Sequence, residues 1–180
     1  GLHENDKSSQ EQYAVYYNKE KITAKDSGIL FNDSVEDLFQ REPLTTQLST
    51  IDGDMTFVIQ IIHTKPSAAL EEIEALHDVF EWSKLQYPNE DDFIMLGDFN
   101  AGCSYASPEE LDGMEIRSQN YTWVIPDNAD TNLANSTCAY DRIVISENTN
   151  PHFTGNWGVD NTFTNNSISD HWPIWFEIYV

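Results

Sequence analysis

Apolar residues in this chain fall into short runs separated by polar stretches rich in Asn and Asp. Met55-Thr56-Phe57-Val58-Ile59-Gln60-Ile61-Ile62 is nearly continuous, the pattern of a strand covered on both faces. A turn at Asp52-Gly53-Asp54 precedes it, and His63 stands at its exit. From Pro66-Ser67 onward, apolar side chains recur every three or four positions at Leu70, Ile73, Leu76, Val79 and Phe80, with acids between them. This spacing predicts a helix, ended by Tyr87-Pro88-Asn89. Phe93-Ile94-Met95-Leu96 predicts a second buried strand. Strand, helix, strand in this order is a crossover unit with parallel strands, so His63 and Asp98 are expected at the same sheet edge.

Elsewhere the pattern is weaker. Tyr13-Ala14-Val15-Tyr16-Tyr17 reads as a first strand, Asn18 to Ser49 as irregular, and Tyr121 to Ile125, Tyr140 to Ile145 and Pro173 to Tyr179 as later strands. Glu147 to Ser167 reads as a long loop, of a length usually reserved for function or mobility. Gly1 to Asp6 is polar. No repeat or linker divides the chain, and 39% hydrophobic content with five Trp, eight Tyr and nine Phe suffices for a core, so one α/β domain over 1–180 is expected. The apolar runs are far shorter than the roughly 20 residues of a membrane-spanning helix, so no membrane partner is expected.

Charge narrows the partners. Asp and Glu total 31 against nine Lys and Arg, a formal net charge of −22, and no basic stripe of the kind duplex binders carry is visible. A nucleic-acid role therefore requires bound divalent cations to reverse the local sign. Cys103 and Cys138 are the only cysteines, and four Asn-x-Ser/Thr sequons begin at Asn32, Asn120, Asn135 and Asn165. Together these features favour a secreted protein. A Cys103–Cys138 disulfide would contribute roughly 3 to 4 kcal/mol by closing its loop; the alternative is two free buried thiols.

Three strand-edge clusters carry the chemistry. Gly97-Asp98-Phe99-Asn100 follows one strand, Cys138-Ala139-Tyr140-Asp141-Arg142 precedes another, and Ser169-Asp170-His171 precedes the last. Carboxylates, amides and imidazoles at strand tips are where open α/β sheets place ligands, and this set suggests one metal-dependent hydrolytic site.

These segments, with Thr122-Trp123-Val124-Ile125-Pro126-Asp127 between them, closely resemble the deoxyribonuclease I family of the endonuclease/exonuclease/phosphatase superfamily. The resemblance runs in order from about Ser9 to the end. It implies a four-layer α/β sandwich, with two packed mixed sheets flanked by helices. It implies that His63 and His171 are catalytic imidazoles, with Glu11 and Asp141 as their carboxylate partners. Asp98 and Asn100 resemble residues near phosphate and metal, Asp170 a further acidic metal ligand, and Arg41 a phosphate contact. Mg²⁺ or Mn²⁺ is the implied catalytic ion. Structural Ca²⁺ is implied at Asp130, Asn132 and Ser136, and at Asp37 and Glu42.

The chain also departs from the family pattern. Relatives begin with an additional segment that supplies central strands and a metal-binding Glu, so a complementing amino-terminal fragment of the same precursor is expected as a partner. Ser9 takes a position often held by a sugar-contacting Tyr, and actin binding is not carried over. The reading is a secreted, divalent-metal-dependent endonuclease acting on DNA. Its alternative is a catalytically weak or inactive nuclease-fold glycoprotein with a binding or structural role.

Overall fold

Residues 11–180 are described by the computed structural model of the chain; Gly1 to Asp6 and Ser9 lie outside them. The crossover unit forms as expected: Thr56–His63 (β4), Ala69–Gln86 (α1) and Phe93–Asp98 (β5), with β4 and β5 parallel and His63 in register with Asp98. Around this unit lie Ile22–Ala24 (β1), Ile29–Leu30 (β2), Leu44–Thr50 (β3), Tyr121–Trp123 (β6) and Asp141–Ser146 (β7). They build a mixed seven-stranded sheet in the order β1-β3-β4-β5-β7-β6, with β2 pairing β3. Phe153–Val159 (β8) and Ile174–Ile178 (β9) form a second, antiparallel two-stranded sheet.

Alternation along the strands sorts side chains to the two faces. Val58, Ile62, Phe93, Met95 and Val144 pack with Ile73, Leu76, Val79 and Phe80 of α1. The opposite-facing Phe57, Ile59, Ile94, Ile143 and Ile145 pack with Phe153, Ile174 and Phe176 of the small sheet. The layers are therefore helix, large sheet and small sheet, an α/β arrangement with two packed sheets.

Three local expectations are corrected. Tyr13–Tyr17 is not a strand among the described residues; it is held by side chains, the Tyr13 hydroxyl accepting the His63 N–H at 3.2 Å. The stretch expected to be irregular contains β3, a buried strand whose Thr and Ser hydroxyls find internal partners such as Asp26, Ser83 and Met55 O. The expected long loop contains β8, whose Asn, Gly and Thr composition hid it and whose centre is exposed.

Candidate active site

Strand β5 ends in a turn that only certain residues tolerate. Gly97 has φ +140°, and a Cβ there would overlap the carbonyl oxygen of Ile62 on β4. Asn100 adopts the left-handed conformation at φ 49°, which Asn accepts better than most residues. Its N–H is held by Asp98 Oδ1 at 2.8 Å, and its carboxamide donates to Thr64 O at 3.0 Å. The turn thus turns the Asp98 carboxylate toward the exit of β4.

Two imidazoles converge on that carboxylate. His63 Nε2 lies 3.4 Å from Asp98 Oδ2, and His171 Nδ1 lies 3.9 Å from the same oxygen. Each ring has its own acid: His63 Nδ1 meets Glu11 Oε2 at 2.6 Å, and His171 Nδ1 meets Asp141 Oδ2 at 2.8 Å. Both rings are partly exposed, with 33% and 23% of their side-chain surface accessible, so they are open to a substrate. Tyr140 stacks on His171 at 5.6 Å between ring centres. The Asp141 hydrogen bond, opposed by burial, raises the His171 pKa to about 9. Burial first, and then the Asp141 charge, raise that of Asp98.

Arg41 stands behind His63. It is 7% exposed, donates through Nη1 to Glu11 Oε1 at 2.7 Å, and holds His63 O and Thr64 O at 2.8 Å each. It braces the Glu11–His63 pair. Thr131 was not singled out in the sequence, yet its hydroxyl accepts both the Tyr140 and the Asp141 N–H at 3.1 Å. Thr131, Tyr13 and Thr64 lack a signal because their roles depend on tertiary contacts; Tyr140 lies inside a quoted motif.

Among the described residues, Asp98, Asp141 and His171 form the grouping able to hold a metal ion, their ligand atoms within 4.8 Å of one another. A cation there would relieve the repulsion between the two acids, so the donor set suits a hard divalent ion. Asp170, expected as the second Mg²⁺ ligand, is exposed and not in this grouping. Its backbone carbonyl is held by the Leu133 N–H, and its charge helps to raise the His171 pKa. Asp37 and Glu42 form no three-acid grouping among the described residues. Asp130, Asn132 and Ser136 do come together. Cys103 and Cys138 form the disulfide, with Cα atoms 5.6 Å apart.

The large mixed sheet and the small sheet packed on it are those of the endonuclease/exonuclease/phosphatase fold. An endonuclease/exonuclease/phosphatase protein from Bacteroides vulgatus superposes with a TM-score of 0.61 at 16% identity, over 91% of this chain and 68% of that one. D. rerio TDP2 complexed with single strand DNA product superposes at 0.64 and 15%, over 90% and 70%. No protein-family model matches the chain. In sequence, the chain is similar to deoxyribonucleases of the deoxyribonuclease I type. It is 34% identical to deoxyribonuclease-1 of Mus musculus and of Homo sapiens, over 93% of its own length and 64% of theirs. It is 36% identical to mouse deoxyribonuclease-1-like 2, over 91% and 62%. The chain spans just under two thirds of the length of these relatives.

Proposed function

We propose that the chain carries the catalytic face of a secreted, divalent-metal-dependent endonuclease that hydrolyses DNA phosphodiester bonds. The observation that supports this most is the meeting of two acid-buttressed imidazoles at a single carboxylate oxygen. One imidazole takes the proton of the attacking water, and the other gives a proton to the leaving 3′ oxygen. Glu11 and Asp141 each fix the orientation of a ring and stabilise its charged form. Asn100 and Arg41 hold the strand exits in place. Asp98 and Asp141 would hold a Mg²⁺ or Mn²⁺, which would supply charge stabilisation at the non-bridging oxygens. The cation would also change the sign of the local field at the site, within a chain whose net charge of −22 repels DNA.

The disulfide and the four sequons support export to an oxidising compartment. Relaxation of supercoiled plasmid by the purified protein, with Mg²⁺ and then with chelator, tests the proposal. Nicking that stops with chelator is expected. Absence of nicking under every metal condition would instead favour the non-catalytic glycoprotein.

A further inference from the structure

The segment from Asp130 to Cys138 runs into the disulfide and is where the family resemblance implied a structural Ca²⁺. Oxygen atoms do converge there, from the Asp130 carboxylate and the backbone carbonyls of Ser136 and Cys138. Among them lies the side-chain nitrogen of Asn132, a residue 2% exposed. Asn132 Nδ2 is 3.2 Å from Asp130 Oδ1, 3.0 Å from Ser136 O and 3.3 Å from Cys138 O. Its two N–H bonds are thus shared among three acceptors.

The far end of the carboxamide fixes its orientation. Asn132 Oδ1 accepts the Ala134 N–H at 2.8 Å. The reversed amide would set its NH₂ against that N–H and its oxygen against three oxygens, a worse network at both ends. Calcium takes six to eight oxygens at about 2.3 to 2.6 Å. The shortest radius here is 3.0 Å, so the cage is wider by about 0.4 Å or more, and its centre is filled. A cation enters only if the Asn132 carboxamide leaves or turns over, and turning over breaks its bond from the Ala134 N–H.

We propose that the Asn132 carboxamide is an internal substitute for the cation, so that the 130–138 loop keeps its shape without divalent ions. The residues present therefore do not fit the Ca²⁺ expected there. This matters for the active site because the loop is its strap. Trp172 N–H bonds to Thr131 O, Leu133 N–H bonds to Asp170 O, and Asn132 pairs with His171 in an isolated antiparallel bridge. With the Thr131 hydroxyl holding the Asp141 N–H, the strap keeps Asp141 beside His171. Asn132 is a positioning residue for that pair.

Hydrogen exchange read by mass spectrometry on the purified chain, in EGTA and in excess CaCl₂, tests this without reference to nuclease activity. Exchange of the Ala134, Cys138, Tyr140 and Asp141 amides is expected to agree within about twofold between the two conditions. Asn132→Asp places a carboxylate against Asp130 and two carbonyls. In that variant the same amides should exchange about tenfold faster in EGTA and recover in Ca²⁺. Tenfold faster exchange of the unaltered chain in EGTA would overturn the proposal, as would a variant indifferent to Ca²⁺. The measurement on the unaltered chain decides by itself if the variant does not fold.

Discussion

Replacing Arg41 separates two roles that the same side chain can play, brace and phosphate contact. Its guanidinium makes one ion-paired hydrogen bond to Glu11 and two to the carbonyls of His63 and Thr64. Hydrogen bonds from charged donors contribute about 1.5 to 3 kcal/mol each. The ion pair is discounted because 39% of the Glu11 side chain is exposed. Thr64 O keeps a second donor, Asn100 Nδ2, when the guanidinium is removed. Arg41→Met should therefore cost about 2 to 4 kcal/mol in urea unfolding. Arg41→Lys should recover only part, because an ammonium cannot serve three acceptors in fixed directions. With the brace gone, Glu11 no longer fixes the His63 ring, so kcat on plasmid should fall about 10- to 100-fold while KM changes little. A double-mutant cycle with Glu11→Gln should show coupling of about 1 kcal/mol or more. Unchanged kcat and stability, together with a raised KM and a salt slope reduced by about one, would refute the brace and make Arg41 a phosphate ligand.

Other expected outcomes rest on separate features. Gly97→Ala should abolish soluble expression or destabilise the fold by about 4 kcal/mol or more, since the added methyl overlaps the Ile62 carbonyl on the paired strand; a near-normal melting temperature would contradict this. Paired replacement of Cys103 and Cys138 by Ser opens a loop with a sequence separation of 35 and should lose about 4 kcal/mol in thermal or urea unfolding, an effect that reducing agent should reproduce. Burial pushes the Asp26 carboxyl up, but hydrogen bonds from Thr46, Gly28, Tyr87 and Gln47 outweigh it and hold the pKa below its ordinary 3.8. That stabilisation is present above the ordinary value and lost as pH falls through the lowered one. Asp26→Asn should accordingly flatten the acid limb of a melting-temperature profile below about pH 4, and an unchanged limb would count against the network.

What was legible in the sequence was legible for physical reasons. The run Phe57–Ile62 and the three-to-four spacing of Ile73, Leu76, Val79 and Phe80 report burial on both faces of a strand and on one face of a helix. They were enough to put His63 and Asp98 at one sheet edge, where the structure sets them in register. The pairing of each imidazole with its acid came from the family resemblance, because Glu11 and Asp141 carry no periodic signal. Strand β3 escaped because its buried face is Thr and Ser, residues whose hydroxyls are satisfied only by the tertiary partners the fold supplies. Strand β8 escaped because three consecutive exposed residues, Gly155, Asn156 and Trp157, give no alternation. Tyr13 to Tyr17 has strand composition, but Tyr13 is committed to the His63 backbone. The grouping able to hold a metal adds Asp141 and His171 to the expected Asp98, because the fold brings two strand edges together that are distant in sequence.

The most direct test is the single-turnover cleavage rate of plasmid by the unaltered chain, His63→Ala and His171→Ala, each in excess Mg²⁺ and with folding checked by circular dichroism. Two imidazoles sharing the transfer of protons across one phosphate predict that each variant keeps its spectrum and loses about 10²- to 10⁴-fold in rate. Cleavage by either folded variant at the unaltered rate would contradict the account.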